Sequence, residues 1–146
     1  MSHVRAICAA NAALALPALR ELPPQSHALA DGASFAAHLA ATHAEGYRLA
    51  GTFEDGRTKA AAATEYRVMD MLAYGPVLYL DDLSTLPDAW GRGHARALLE
   101  WLDTEALHLD SGVGAARFTA HRQDLRHGMN ITAHHFAKEL GTGELT

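Results

Sequence analysis

The chain has 146 residues, of which 49% are hydrophobic and 20% are charged, and its net charge is −5. This length suits a single core, so we expect residues 1–146 to form one domain. The acidic balance argues against a nucleic-acid-binding protein, which needs surplus cations to neutralise phosphates, and it suits a cationic partner such as an amine. The single cysteine, Cys8, excludes an internal disulfide framework and favours a reducing compartment.

The N-terminal third is predicted to contain one strand and two helices. Val4–Ala9 is a short apolar run typical of a strand, and the leucine-rich helix after it is stopped by Pro23-Pro24. Ser34 is predicted to cap a second helix, which would bury Phe35 and Leu39. No apolar run approaches the roughly 18 residues of a membrane span, so we expect a cytoplasmic protein with no membrane segment.

The middle of the chain is predicted to form three successive strands. Apolar residues alternate over 47–53, and the turn Glu54–Arg57 has the composition of a hairpin turn. Tyr66 and Val68 favour a returning strand, although the alanine-rich segment before them has a helical propensity. The continuous apolar run Val77–Leu80 is typical of a strand that is buried on both faces.

The last third is predicted to alternate helices with strands. Apolar residues at helical spacing indicate a helix after residue 93, and they are Ala95, Leu98, Leu99, Leu102 and Ala106. Leu107–Leu109 is predicted to be a short strand, Thr119–His127 a helix capped by Gly128, and Met129–His135 the final strand. The resulting order, β-α-α-β-β-β-α-β-α-β, predicts an α/β fold with a mixed sheet and helices on both faces.

The segment PDAWGRGHARALLEWL places Gly91 and Gly93 directly before a helix. The first N–H groups of a helix have no partner within it, and the helix dipole adds partial positive charge there. Because glycine has no Cβ, an anion can approach these groups closely, which predicts a cradle for a phosphate. On the residues alone, a tight turn of small residues that only lets the helix pack is the alternative.

Two other classes of phosphate-binding protein can be compared with this segment. A nucleoside-triphosphate loop is excluded because the chain has no Gly-Lys-Ser/Thr. A dinucleotide-binding fold has the same order of strand, glycine turn, helix and terminal acid, here Asp110. Arg96, however, stands where that fold needs a small residue, and the strands upstream are antiparallel rather than parallel.

The stretch LSTLPDAWGRGHARALLEWL resembles the acyl-coenzyme-A signature of the GNAT N-acetyltransferase superfamily. In that signature, a strand and a Pro-containing connection lead to Gln/Arg-x-x-Gly-x-Gly/Ala at the start of a helix. HLDSG is similar to the family's fifth strand, and AHRQDLRHGMN is similar to the helix and turn before its last strand. The resemblance covers essentially the whole chain. It implies a GNAT fold with a central, mostly antiparallel sheet split near its middle, and acetyl transfer from acetyl-CoA to a primary amine by direct attack.

The resemblance also implies where acetyl-CoA would bind. Its diphosphate would lie on the amides of the glycine turn, and its pantetheine arm would lie along the splayed end of the strand before the turn. A strand edge offers N–H and C=O groups for such pairing, and preplaced donors stabilise an oxyanion. The residues assigned to the coenzyme in this way are Leu83, Thr85, Trp90, Gly91, Arg92, Gly93, His94, Ala95 and Arg96.

Two positions depart from the family's pattern. Trp90 replaces the first Gln/Arg of the signature, and we expect it to pack on the sheet rather than cover the adenine. Asp124 stands where many members carry a tyrosine, four residues before the glycine of the last turn, that protonates the departing thiolate. A carboxylate is a poor proton donor near pH 7 unless burial raises its pKa, so a solvated helix residue is the alternative role for Asp124.

The reaction also needs a base that takes a proton from the ammonium form of the acceptor. Asp81 and Asp82, at the end of the buried strand, are the candidates, and only one of them is expected to face the cleft because successive strand residues point to opposite faces. A strand-end carboxylate or an intersheet salt bridge is the alternative role for either residue. Glu65 on the neighbouring strand is a weaker choice. The ten histidines lack the spacing of a metal site, so no metal is expected.

Two functional alternatives remain on the sequence. A GNAT-fold module that binds or senses acyl-CoA with weakened turnover is kept open by Trp90 and Asp124, and a dinucleotide-binding module is the third possibility. The acceptor would be a small-molecule or peptide amine, whose identity no pattern indicates. Dimerisation is common in the family, so a homodimer is compatible with this chain.

Overall fold

The computed structural model describes residues 2–22, 27–72, 75–109, 117–122 and 134–139. Within these ranges the chain forms six strands and three α-helices. In chain order they are β1 (Ser2–Ile7), α1 (Leu16–Leu19), α2 (Gly32–Thr42), β2 (Tyr47–Glu54), β3 (Ala62–Met71), β4 (Gly75–Thr85), α3 (His94–Leu109), β5 (Arg117–Arg122) and β6 (His134–Glu139). None of the helices in these ranges combines the length and apolar character that a membrane crossing requires.

The six strands form one sheet in sequence order, from β1 to β6. Neighbouring strands are antiparallel except β4 and β5, which run parallel and are joined through α3. The pairing of β4 with β5 covers only Val77–Leu80, although β4 continues to Thr85. In the described part of the chain, the second half of β4 therefore has β3 on one side and an open edge on the other. The prediction of a mixed, mostly antiparallel sheet that splits near its middle is confirmed.

A β-bulge lies in β4 at the point where the sheet divides. Glu65 of β3 pairs with Asp82, but the next residue of β3 pairs with Leu80, so Asp81 is an extra residue in β4. Because of this insertion, Leu80 and Leu83 belong to the same buried core although they are three residues apart. The strict alternation expected for the two aspartates is therefore interrupted at this point.

The sheet carries an apolar core on each face. On one face, Leu98 and Leu102 of α3 pack with Leu78 of β4, and all three are fully buried. On the other face, Phe35 and Leu39 of α2 belong to the core that also contains α1. Truncating one of the fully buried leucines to alanine would cost about 2–5 kcal/mol of stability. Helices on both faces were predicted, and these two cores confirm them.

The N-cap of helix α2 lies three residues before the predicted cap, Ser34. This N-cap is Asp31, whose carboxylate accepts a hydrogen bond from the backbone N–H of Ser34 at 2.7 Å. This hydrogen bond lowers the pKa of Asp31. An aspartate at this position both satisfies an unpaired helix N–H and complements the helix dipole, which a serine does only in part. The prediction that Phe35 and Leu39 are buried is confirmed.

Two predicted elements after α3 are wrong. Leu107–Leu109, including the start of HLDSG, continues α3 instead of forming a strand. The apolar stripe of α3 runs to Ala106, and no glycine or proline interrupts the chain before Gly112, so the helix continues. Thr119–Arg122 belongs to β5 instead of a helix, because pairing with β4 outweighs the local pattern. The remainder of that predicted helix, 123–127, lies outside the described residues.

Candidate functional site

The turn between β4 and α3 holds two glycines in the left-handed region, with φ at 78° for Gly91 and 82° for Gly93. Helix α3 starts at His94, so its first N–H groups open onto this turn. Apart from its two chain neighbours, a Cβ placed on Gly93 would meet no atom of the described residues within 4 Å. A cavity of about 140 Å³ lies over the turn, and its lining residues are Thr85, Ala89, Trp90, Gly91, Gly93, His94, Ala95 and Arg96. The turn therefore combines open space with the positive end of a helix dipole.

Glu54, at the end of β2, binds the side chains on both sides of Gly93. Its carboxylate accepts hydrogen bonds from Arg92 Nη1 at 2.8 and 2.9 Å, and its Oε2 lies 2.9 Å from His94 Nε2. Arg57 Nη1 contacts the same carboxylate at 3.2 Å. The hydrogen bonds from Arg92 and His94 lower the pKa of Glu54 to about 2. Glu54 is therefore ionised at neutral pH and joins the β2–β3 hairpin to the glycine turn.

Trp90 lies at the surface beside this cavity and is 42% exposed. Its indole N–H donates a hydrogen bond to the backbone carbonyl of Thr85 at 3.0 Å. The expected packing on the sheet is thus limited to contact with the end of β4. The neighbouring cation Arg96 is exposed and contacts Glu100 at 3.3 Å. An exposed pair of this kind adds little to stability, so Arg96 can turn toward an anion at small cost.

In the second half of β4, the backbone groups point alternately to β3 and to the open edge. The N–H of Leu86 donates to the carbonyl of Ala61 at 2.8 Å, so Leu86 faces the β3 side. By the alternation of an antiparallel pair, the backbone groups of Leu83 and Thr85 face the open edge. The Thr85 carbonyl already accepts the bond from Trp90. An extended ligand at this edge would therefore meet the N–H and C=O of Leu83 and the N–H of Thr85.

Asp81, at the bulge, is held by Arg67 of β3. Each of its carboxylate oxygens accepts a hydrogen bond from the guanidinium at 2.8 Å. The same guanidinium lies 4.6 Å from the ring centre of Tyr79 and 5.3 Å from that of Tyr47. A bidentate arginine–carboxylate pair is a strong, directional contact. Both oxygens of Asp81 are thus engaged within the protein.

Glu65 lies beside Asp81 and Asp82, and we call these three residues the carboxylate cluster. The Glu65 side chain is only 13% exposed, and its Oε2 lies 3.2 Å from Nε2 of His38 on α2. Burial raises the pKa of Glu65, and the charges of Asp82 and Asp81 raise it further, while His38 opposes the shift. A raised carboxyl pKa is a common feature of acid–base catalysts.

The predicted site residues thus gather at two places along β4. The residues predicted to bind the coenzyme surround the glycine turn and the open edge, while Asp81 and Asp82 lie at the bulge. Asp124 lies outside the described residues, so its role stays a prediction. In the part of the chain that the structure describes, no group of three or more His, Cys, Asp or Glu side chains is arranged to hold a metal ion.

Two contacts at these places are not predicted by the sequence. The sequence predicts Glu54 only as the first residue of a hairpin turn, and it gives no sign that His38 contacts Glu65. Each contact joins residues that are far apart in the chain, 40 residues for Glu54 and His94 and 27 for His38 and Glu65. No local pattern marks such pairs, so the fold had to be known first.

A split sheet with a glycine turn and a helix at the split defines the class of acyl-CoA-dependent acyltransferases that the signature implied. The family model described as "Acetyltransferase (GNAT) family" matches residues 16–142. The chain belongs to this family and is an acetyltransferase. The family uses acetyl-CoA as its acetyl donor.

Solved structures share this fold at low sequence identity. Ribosomal-protein-S5-alanine acetyltransferase from Vibrio fischeri has a TM-score of 0.65 and 11% identity, covering 98% of this chain and 95% of its own. Glucosamine-6-phosphate N-acetyltransferase from Arabidopsis thaliana has a TM-score of 0.62 and 12% identity, covering 75% and 76%. AAC(6')-Iy, in complex with the bisubstrate analogue CoA-S-monomethyl-acetylneamine, has a TM-score of 0.62 and 16% identity, covering 84% and 80%.

No curated protein matches the chain. The family match and the antiparallel order of the first four strands together exclude the dinucleotide-binding fold, although β4, α3 and β5 do form a parallel unit with a glycine turn. The glycine turn therefore belongs to an acetyltransferase.

Proposed function

We propose that the protein transfers the acetyl group of acetyl-CoA to a primary amine by direct attack, without a covalent enzyme intermediate. The observation that carries this proposal is the open edge of β4 at Leu83 and Thr85, which lies between the glycine turn and the carboxylate cluster. At about 3.3 Å per residue, Asp82 and Thr85 are about 10 Å apart along the strand. A coenzyme held at the turn and extended along this edge would bring its thioester toward the cluster.

The donor end of the site would be built mainly from backbone groups. The amides from Gly91 to Arg96 would hold the diphosphate, because they lie at the start of a helix and the described residues leave the space beside Gly93 open. The pantetheine arm would pair with Leu83 and Thr85 as an added strand does. A backbone N–H at this edge would also polarise the thioester carbonyl and stabilise the negative charge that develops on its oxygen.

The acceptor end would be built from the carboxylate cluster. We propose Glu65 as the group that takes the proton of the ammonium acceptor, directly or through water, because its pKa is raised and, among the described residues, its carboxylate contacts the imidazole of His38 and no cationic arginine or lysine. Asp82 would lie beside it and attract the cation, and Asp81 would orient Arg67. The negative cluster and the net charge of −5 support a cationic amine as the acceptor.

In the proposed reaction, the neutral amine nitrogen attacks the thioester carbon, and the C–S bond breaks as the amide C–N bond forms. Before the attack, the base takes one proton from the ammonium, and as the tetrahedral intermediate collapses, the nitrogen gives a second proton to water. The coenzyme leaves as a thiolate and takes up one proton from water, so that the amide and the free thiol are both neutral. A thiolate is a good leaving group because a thiol has a pKa of about 8.5. Asp124 as the proton donor stays a prediction. The single cysteine supports a reducing, cytoplasmic location.

The proposal is tested by ligand binding followed by turnover. Thermal shift with acetyl-CoA, CoA and NAD should show stabilisation by the first two only, and thiol release over a panel of amines should identify acceptors. Gly93→Asp should weaken CoA binding at least about 100-fold, because a negative charge about 4 Å from a phosphate costs about 4 kcal/mol at an effective dielectric constant of 20.

Gly56→Asp is the matched control for this variant. Gly56 has the same φ of 82° and equally open space, but it lies in the β2–β3 hairpin, so it should suffer the same backbone strain and keep CoA affinity. If Gly93→Asp binds CoA as tightly as the wild type, the coenzyme site is elsewhere. If the wild type binds acetyl-CoA but no amine releases thiol, the binding-module alternative replaces the proposed reaction.

A further inference from the structure

We propose that Glu54 is a positioning residue for the coenzyme, which fixes the glycine turn by holding Arg92 and His94 on either side of Gly93. The inference rests on the proposed function, because it takes the turn as the binding site of the CoA diphosphate. It assigns to β2 a role in a site that the sequence signature confines to β4 and α3.

The turn needs such a restraint because its own residues do little to fix its backbone conformation. Gly91, Arg92 and Gly93 are all exposed, and both glycines have positive φ. Glycine has many accessible backbone conformations, so an exposed turn of this composition loses much entropy when it is ordered. A single carboxylate that contacts the residues before and after Gly93, at 2.8 and 2.9 Å, restricts the peptide units between them.

His94 makes the restraint effective at the helix start. The residue is 3% exposed, and it lines the cavity over the turn. Its Nδ1 is buried without a hydrogen-bond partner among the described residues, so the contact of Nε2 with Glu54 is the polar contact that the structure records for this ring. A buried ring with one satisfied nitrogen depends on that contact for its orientation. Removing the carboxylate would release the first residue of α3 together with the turn.

The charge of Glu54 makes the inference testable. An anion beside a diphosphate site repels the ligand, so electrostatics alone predicts that removing the charge tightens binding. The positive charge of Arg92 is paired with the carboxylate of Glu54, so in the wild type Arg92 would attract an anion less than an unpaired arginine would. Positioning predicts the opposite result, because a disordered turn must be ordered again when the ligand binds. In a variant that removes the charge of Glu54, the electrostatic effect would therefore lower the Kd of CoA, and the loss of positioning would raise it.

The experiment measures the Kd of CoA by calorimetry for wild type, Glu54→Gln and Glu100→Gln. Glu54→Gln should bind CoA about tenfold more weakly, since the amide keeps only part of the contacts to Arg92 and His94. Glu100→Gln is the control: it removes a negative charge from the first turns of the same helix without touching the contacts of Glu54, so its affinity should stay the same or increase. Equal or tighter binding by Glu54→Gln would overturn the inference.

Steady-state kinetics separate positioning from a general loss of structure. The apparent KM for acetyl-CoA should increase in Glu54→Gln, while kcat and the KM for the amine stay near the wild-type values. If Glu54→Gln does not fold, Glu54→Asp replaces it: the charge is kept and the carboxylate is drawn back, so electrostatics predicts no change and positioning predicts weaker binding. A wild type that does not bind CoA overturns the proposed function. A wild type that binds CoA, with both Glu54 variants binding equally well, overturns only the role of Glu54.

Discussion

Glu54 and Glu65 lie on neighbouring strands of one sheet, but the protein shifts their pKa values in opposite directions. Glu54 accepts hydrogen bonds from Arg92 and His94, which lower its pKa to about 2. Glu65 is largely buried, and burial raises its pKa. The first carboxylate is a constant negative charge at any pH where the enzyme works, while the second is brought closer to the range where protons are exchanged.

This difference separates the two ends of the open edge of β4. At the glycine turn, a fixed charge binds the side chains of Arg92 and His94, which flank Gly93, and protonation of Glu54 would only weaken these contacts. At the bulge, a carboxylate with a raised pKa suits the removal of a proton. Environments that push the pKa values of two similar groups apart commonly distinguish a structural group from a catalytic one.

The largest effect is expected from Glu65→Gln. A base contributes typically 100- to 10,000-fold to a rate, so kcat should fall by roughly 100-fold or more while the Kd of CoA stays unchanged. Thiol release at saturating acetyl-CoA and amine measures kcat, and calorimetry measures the Kd. The amide keeps the size of the side chain and can still contact His38, so the loss would report the missing proton acceptor.

Asp81→Asn is the matched control, because it also replaces a carboxylate by an amide, at the bulge residue of the neighbouring strand β4. Both oxygens of Asp81 are bound to Arg67, so we expect its loss to reduce kcat by less than about tenfold, through disturbed orientation of Arg67. A reversed order, with Asp81→Asn the more damaging variant, would assign the base to Asp81 and remove Glu65 from the mechanism.

The same comparison explains what could be predicted from the sequence. The glycine turn, its helix and the strand before it lie within one continuous segment, so their order and chemistry could be predicted from Gly91, Gly93 and the spacing of Leu98 and Leu102. The carboxylate cluster depends on strand register, and the bulge at Asp81 shifts that register by one residue. Strand pairing likewise determines the structure of Thr119–Arg122, which belongs to β5 although its local pattern predicts a helix.

A smaller effect is expected in the pH dependence of the rate. If Glu65 must be ionised to accept a proton, kcat/KM should decrease as the pH falls below its raised pKa, by about tenfold per pH unit. Glu65→Gln should lose this acidic limb. Glu54→Gln should keep it, since Glu54 with a pKa of about 2 does not titrate in that range. An acidic limb that persists in Glu65→Gln would belong to another group and would contradict the assignment.

The smallest effect is expected in stability, where the two glutamates should again differ in sign. The folded-state pKa of Glu54 is about 2, below its ordinary value of 4.5, so its contribution to stability is present above pH 4.5 and is lost as the pH falls toward 2. Glu54→Gln should therefore unfold at a lower temperature than the wild type at pH 7, by a few degrees. This deficit should shrink as the pH is lowered toward 2.

Glu65 should behave in the opposite way. Its folded-state pKa is raised above 4.5, so its contribution to stability is present below pH 4.5 and is lost as the pH rises through the raised pKa. At pH 7 the unfolded chain carries Glu65 in its ionised form, which the largely buried site in the folded state disfavours, so Glu65→Gln should unfold at a slightly higher temperature than the wild type while it loses activity. Such a gain in stability at the expense of function is typical of a residue retained for catalysis. The unfolding temperatures of Glu54→Gln and Glu65→Gln at pH 7, compared with that of the wild type, test both expectations. If both temperatures shift in the same direction, the two carboxylates do not contribute to stability with opposite signs.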